Sequence, residues 1–301
     1  MYSGFWYNLK NAFNHRNNGL YKILAINILL YFIVMVVRVF LSLGGAADLY
    51  RQMLSYLMMP ASIPYFLSQP WTLFTYMFLH EGFFHILFNM LFLYWFGLLV
   101  NEYLGSRKLV NLYILGGLAG GLFYLLIYNL APLFTDQVDS ALMLGASAGV
   151  YAIVVGAATL SPNTAFHLIL LGPVKIKYIA IFYVLVAFAN SSGANAGGEL
   201  AHLGGAALGF FYIRQLQRGS DLGRPVQWVG RLFENISAKK PKVKVTYRKK
   251  DAEHYRSAEP TGQVNVSTQE EIDKILDKIA EKGYDNLTKE EKRKLFDFSN
   301  K

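Results

Sequence analysis

The residues best suited to chemistry lie in two small-residue settings. Ser147 sits inside Gly145-Ala146-Ser147-Ala148-Gly149 at the head of an apolar stretch that runs to Leu160. His202 lies well inside another apolar stretch. A serine needs a general base to act as a nucleophile near neutral pH, and histidine is the usual one. An ionisable side chain within a membrane-depth segment is costly and is read first as functional. The plainer account of the glycines and alanines is packing, because apolar helices use small residues to approach one another.

Depth and helix faces favour chemistry on top of packing. From Ser147 to Leu160 is 13 residues, about 20 Å at 1.5 Å per residue; from His202 to Arg214 is 12 residues, about 18 Å. Counted from the same membrane surface, the two residues stand at one level, and the helix behind Ser147 must begin in mid-membrane. His202, Gly205 and Gly209 recur at i, i+3 and i+7, Ser147 and Tyr151 share a face, and Gly145 and Gly149 are four apart. Two glycine-lined helices can approach closely enough for an Oγ–imidazole hydrogen bond. Glu199 is assigned to the outer side of its helix, and Asp136 and Asp139 to a loop, so a Ser–His dyad is expected rather than a triad.

His85 and Asn89 are four apart and share a face, with His80 just before them. Together with the Ser147 N–H they suit an oxyanion hole. His80-Glu81-Gly82-Phe83-Phe84-His85 resembles a zinc HExxH motif with one residue too many. An i,i+5 offset turns about 140° on a helix, so the two rings are expected to diverge and no metal is assigned.

The elements that hold these residues follow from composition. The 301-residue chain is 53% hydrophobic and 16% charged, which suggests a membrane protein. Before residue 219 there are 11 Lys/Arg and 6 Asp/Glu; the remaining 18 basic and 14 acidic groups follow in a polar tail. Six apolar spans are read at about 22–44, 83–104, 109–130, 147–160, 174–190 and 199–217, the fourth too short to cross a 30 Å core unless it starts inside it. Residues 1–21 form a polar-aromatic segment with a short interfacial helix, and 45–70 lies in the interface. Arg38 falls near the end of the first span, where it can snorkel. Basic residues cluster in alternate loops (Lys10, Arg16 and Lys22; Arg107 and Lys108; Lys175 and Lys177; Arg214 and Arg218), which places both termini in the cytoplasm. That bias accounts for the pI near 9.4 without nucleic acid. The absence of cysteine excludes disulfides and thiolate sites, and the N-terminus shows no cleavable signal pattern.

The body 22–218 is followed by a basic, disordered linker over 219–266 and a helical hairpin over 267–301. Ser267-x-x-Glu270 and Thr288-x-x-Glu291 are capping boxes, and Gly283 closes the first helix. Ile272, Ile275, Leu276 and Ile279 share one face of the first helix, and the second carries Leu295, Phe296 and Phe298. So small a hairpin is expected to dock on an unknown partner.

The pattern resembles the rhomboid family of intramembrane serine proteases. Three motifs carry the resemblance: Gly145-Ala146-Ser147-Ala148-Gly149-Val150-Tyr151, Ala201-His202-Leu203-Gly204-Gly205 with Gly209, and His80…His85-Ile86-Leu87-Phe88-Asn89. It implies an all-α, polytopic six-helix bundle of bacterial type, set in a bacterial inner membrane with its site opening to the outer face. It implies Ser147 as nucleophile, His202 as base, His85 and Asn89 in the oxyanion hole, and Tyr151 packed on His202. Substrates would be single-pass transmembrane proteins in the lipid bilayer, cut without a cofactor. Two positions depart from the family pattern: Trp71 is followed by Thr72 instead of arginine, and the acidic residue after Gly97 comes five on, as Glu102, instead of four. The alternatives are a catalytically silent relative that binds client helices, and a channel or transporter, which the scarcity of charge within the spans disfavours.

Overall fold

The computed structural model describes residues 4–14, 17–168, 172–228, 266–282 and 286–299. The fold is mostly helical. The chain begins with α1 (Phe5–Lys10), α2 (Gly19–Leu43) and α3 (Ala47–Ser55), then β1 (Met59–Pro60), α4 (Ile63–Ser68) and α5 (Thr72–Thr75). α6 (Phe83–Leu130) follows, then β2 (Leu142–Met143), α7 (Ser147–Leu160), β3 (Ala165–Leu168) and β4 (Gly172–Lys175). α8 (Ile176–Asn190) and α9 (Ala196–Gln217) complete the body, and α10 (Val266–Lys282) and α11 (Lys289–Ser299) form the C-terminal pair. Two antiparallel strand pairs, β1 with β2 and β3 with β4, are additions to the all-α expectation. β4 takes residues assigned to the start of the fifth span, so that helix opens two residues later, at Ile176. The sixth begins three earlier, at Ala196.

α2 and α6 are long and apolar enough to cross a membrane. α6 is two helices in one, broken at Gly105, whose φ of 77° and ψ of 165° are non-helical and favour glycine. One arm therefore covers 83–104 and the other 106–130. α7 has 14 residues and starts at Ser147, as the short fourth stretch predicts.

The second arm of α6 is the packing centre. A Cβ on Gly116 would lie 2.2 Å from Ala152 Cβ, and one on Gly120 would lie 2.5 Å from Ala148 Cβ and 2.7 Å from the Ala201 carbonyl oxygen. Such approaches are open only to glycine, and they set α7 and α9 against one support. Behind α7, Tyr113 is fully buried; its hydroxyl donates to the Met77 carbonyl (3.1 Å) and accepts from Asn27 Nδ2 (3.3 Å).

The ends of the body are tied separately. At one, the Gly19 N–H donates to Ser106 Oγ, and Lys108 pairs with Asp221. Asp221 also accepts from the Gly223 N–H (2.8 Å) and Gln227 Nε2 (3.0 Å). At the other, the Ala61 N–H donates to the Ala141 carbonyl (3.0 Å), and Asn129 Nδ2 donates to the Ala61 carbonyl (2.8 Å). Lys108, one of the basic residues expected on one side, thus shares an end with the start of α2 and the segment after α9. Thr72, at the position where the resembled family carries arginine, is buried and donates to the Gln69 carbonyl (2.7 Å), while Trp71 Nε1 donates to the Tyr56 carbonyl (2.8 Å). Glu102 is exposed.

Residues 1–238 and 239–301 are separate compact units. In the second, Ile272, Ile275 and Leu287 are buried, with Ile279 and Leu295 against them; Leu276 is half exposed. The Thr288 box closes in both directions: the Thr288 N–H donates to Glu291 Oε2 (2.7 Å) and the Glu291 N–H to Thr288 Oγ1 (3.3 Å). Lys278 bonds the same carboxylate and, with the Thr288 N–H, holds it down at about 2. The Ser267 box, Gly283, the side chains of Phe296 and Phe298, and linker residues 229–265 lie outside what the structure describes.

Candidate active site

Ser147 opens α7, where the first turn of a helix leaves backbone N–H groups without intrahelical acceptors. The turn before it is forced by Gly145, whose φ of 139° is a glycine conformation and whose N–H donates to the Tyr76 carbonyl (3.0 Å). His202 is in the second turn of α9. Its Nε2 lies 2.7 Å from Ser147 Oγ.

Matched depth is thereby realised as contact, but the packing that creates it differs in part from expectation. Gly205 and Gly209 do face α7: a Cβ on them would lie 2.1 Å from the Ala148 carbonyl oxygen and 2.4 Å from that of Ala152. Gly149 faces away from α9: a Cβ on it would lie 2.9 Å from the Tyr113 ring and carbonyl oxygen. The α7 surface beneath His202 is alanine backbone; of the α7 glycines it is Gly156, not Gly149, that borders α9, with Ile213 Cγ1 3.5 Å from where its Cβ would stand. Gly145 borders the site itself, with His85 Nε2 3.1 Å and Ser147 Oγ 3.4 Å from where its Cβ would stand.

Glu199 is the principal correction. Its Oε2 lies 3.1 Å from His202 Nδ1, and the side chains of His202 and Glu199 are only 14% and 15% exposed. Residues three apart on a helix are surface neighbours, so an acidic group does face the histidine. With the carboxylate accepting from Nδ1–H, Nε2 is the free acceptor and Ser147 O–H donates to it. Tyr151 stacks on the other side of the imidazole, with ring centroids 4.2 Å apart and planes 9° apart.

His85, Asn89, Ser147, Tyr151 and His202 share a cavity of about 720 Å³, which Ala194 and Asn195 of the α8–α9 connection also line. Asn89 Nδ2 donates to the His85 carbonyl one turn back (2.9 Å), which fixes the amide plane at the wall. His80 is buried and precedes α6, so the helical offset does not govern it; its ring meets His85 edge-on at 5.1 Å where divergence was expected. No third ligand joins them, since no group of three or more His, Asp or Glu side chains able to hold a metal occurs among the described residues. Glu199 and the glycines of α6 are the site-building residues that the sequence reading missed. The i,i+3 spacing to His202 and the Gly116-Gly117…Gly120-Gly121 repeat were the available signals.

Comparison with known proteins places this geometry in context. The rhomboid domain family model matches residues 67–218, and a family of unknown function, DUF6576, matches residues 263–301. The chain is 30% identical over 158 residues to RHOMBOID-like protein 12, mitochondrial, of Arabidopsis thaliana, across 49% of this chain and 47% of that protein. It is also 30% identical over 159 residues to Rhomboid-like protein 16, chloroplastic, of the same plant, across 49% of each. The matched stretch spans about half the length of these relatives.

Proposed function

The chain belongs to the rhomboid family, and on that premise we propose that it is an intramembrane serine endopeptidase that cleaves transmembrane segments of membrane proteins. The observation that carries the proposal is the 2.7 Å separation of Ser147 Oγ and His202 Nε2. Family membership and the apolar helices support a membrane protein; six membrane passages, with the two arms of α6 counted separately, are part of the proposal. So is an orientation with the basic end on the cytoplasmic side. The mitochondrial and chloroplastic designations are those of the plant relatives; the resemblance to bacterial forms favours an inner membrane for this chain.

Ser147 Oγ attacks the peptide carbonyl as its proton passes to His202 Nε2. The oxyanion that forms is met by the Ser147 N–H, His85 and Asn89. His202 then gives the proton to the leaving amine, and water hydrolyses the acyl-serine by the reverse traffic. Glu199 is a positioning residue: it holds the tautomer that leaves Nε2 free and favours the imidazolium that forms. This replaces the dyad with a Ser–His–Glu triad. Tyr151 keeps the ring plane against α7.

Substrate entry is assigned to the side between the first arm of α6 and α8. There Phe92, Trp95 and Phe182 line an apolar cavity of about 320 Å³, and Phe92 and Tyr183 stand 4.8 Å apart. The α8–α9 connection at 191–195 covers the site as a cap. A silent, client-binding protein of the same fold would have no use for the bond between Ser147 and His202. The deciding experiment compares wild type with Ser147→Ala on a transmembrane substrate in liposomes. Cleavage by wild type alone, with fluorophosphonate labelling lost in the variant, is expected; equal cleavage by both ends the proposal.

A further inference from the structure

A second groove lies on the far side of α8, between α8 and α9 and floored by α7. It has a volume of about 530 Å³. Ile181, Val184 and Leu185 form one wall, Phe210 the other, and Val155 and Ala158 the floor. Ile181, Leu185 and Phe210 are 54%, 60% and 44% exposed, so the groove presents apolar surface laterally. At its basic end stand two cations, Lys177 and Arg214, both lining the same groove.

Neither cation has a carboxylate partner among the described residues. Lys177 Nζ donates to Asn163 Oδ1 (3.2 Å) and lies over the Tyr178 ring (5.3 Å). Arg214 makes one long bond to Gln217 Oε1 (3.5 Å), and its guanidinium sits over the Phe210 ring (5.8 Å). By contrast Lys108, at the same end of the body, is paired with Asp221. Two unneutralised cations above an apolar trough are complementary to a molecule with an anionic head and a hydrocarbon chain.

The dimensions suit such a molecule. Lys177, Ile181 and Leu185 recur every four residues, so the trough runs along about 12 Å of α8 between the Lys177 and Leu185 backbone positions. Phe210 is one turn from Arg214 on α9 and bounds the same stretch. The head therefore sits at the level of the helix ends and the chain follows the bilayer normal.

We propose that this groove is a binding site for one anionic phospholipid of the leaflet at the basic end. Its phosphate sits between Lys177 and Arg214, and an acyl chain lies along Ile181, Leu185 and Phe210. Basic pockets between membrane helices recognise anionic headgroups in this way. The floor residue Val155 and the wall residue Val184 also pack against Tyr151, Ala187 and Ala206, so the lipid chain backs onto the cluster that holds the His202 stack.

The test is native mass spectrometry of the full chain in detergent, titrated with phosphatidylglycerol or with phosphatidylcholine of the same acyl chains. One phosphatidylglycerol is expected to be retained in preference to phosphatidylcholine. At about 1 kcal/mol per basic residue near an anionic surface, Lys177→Gln or Arg214→Gln weakens it about 5-fold, and the double variant about 30-fold. Ile181→Trp fills the trough without changing charge and also abolishes retention. Arg107→Gln with Arg218→Gln, which removes two basic residues outside the groove, leaves it intact. Equal retention of both lipids, no effect of the double variant, or an equal loss in the Arg107/Arg218 control overturns the proposal. So does binding of glycerol phosphate as tight as that of the whole lipid. Because the readout is lipid mass, these outcomes are independent of whether the chain cleaves substrates.

Discussion

Replacing Glu199 with glutamine isolates what the carboxylate adds to the proposed triad. The Nδ1···Oε2 distance is 3.1 Å and both side chains are largely shielded, so the amide can occupy the same place with the charge removed. A hydrogen bond to a charged group contributes about 1.5–3 kcal/mol, roughly twice a neutral one. The imidazolium exists only during reaction, so the loss falls on the barrier as about 1–2 kcal/mol, or about 5- to 30-fold in kcat. That figure applies when the amide oxygen faces Nδ1. Were the amide NH2 turned inward, the ring would present Nε2–H to Ser147, and the loss would approach the roughly 10⁴-fold typical of a wrong tautomer. The assay is steady-state cleavage of a transmembrane substrate in liposomes, with fluorophosphonate labelling rates alongside. A fall in kcat at unchanged KM, a parallel fall in labelling, and partial recovery in Glu199→Asp are expected. A Glu199→Gln enzyme within twofold of wild type, or one altered only in KM, would refute the triad.

Gly205→Val pushes a side chain into the Ala148 carbonyl, at 2.1 Å from the Cβ position. Overpacking costs about 1–3 kcal/mol, so a lower Tm and loss of cleavage are expected, whereas substitution at Gly82, where nothing lies within 4 Å, leaves both near wild type. Burial raises the Asp221 pKa, but hydrogen bonds from Lys108, Gly223 and Gln227 outweigh it and leave it depressed. Its contribution is therefore complete above the ordinary carboxylate pKa of about 3.9 and lost as pH falls through the depressed value. Asp221→Asn lowers Tm at neutral pH and narrows its gap to wild type in acid, as a thermal-shift series would show. The chain has no cysteine, so Phe92→Cys with Tyr183→Cys permits a clean thiol crosslink of α6 to α8; it is expected to stop cleavage reversibly, and full activity in the crosslinked protein would exclude that entry route. Truncation after residue 250 keeps peptidase activity and changes abundance or regulation, which peptide cleavage and protein levels report; loss of intrinsic activity would contradict it.

What the sequence made legible follows from how locally each feature is encoded. The start of α7 at Ser147 could be read because Gly145 breaks the backbone and the apolar run from there to Leu160 is short, both facts of one stretch. The meeting of Ser147 with His202 could be read because rise per residue is fixed, so two counts from a shared surface give one level. Which helices' glycines touch is a tertiary matter. Gly149 looked like a partner for α9, yet it receives Tyr113, because the second arm of α6 lies behind α7. The strand pairs were hidden because β1 and β2 are two residues each and 84 positions apart in their first register pair, Met59 with Met143. His80 was misplaced by extending a helix three residues beyond its start at Phe83.

Glu199 is the instructive miss, because the rule that finds it is local. Three residues on a helix turn about 300°, which leaves 60° between side chains and puts both on one face. The carboxylate was read as lying on the outer side because one turn towards the helix start is also one turn towards the surface. Those two statements are compatible. A side chain can be nearer the aqueous end and still reach back along its own helix to the ring below. That position suits a charge in a membrane bundle: near the start of its helix and close enough to Nδ1 to bond it, whereas a carboxylate level with His202 would carry a larger desolvation cost. On this view the triad's acid is tolerated because α9 begins at Ala196, so that Glu199 falls in its first turn, where the helix dipole also favours a negative charge. Moving the carboxylate one turn deeper, by Glu199→Gln with Leu203→Glu, should therefore not restore activity; recovery to wild-type kcat would show that depth plays no part.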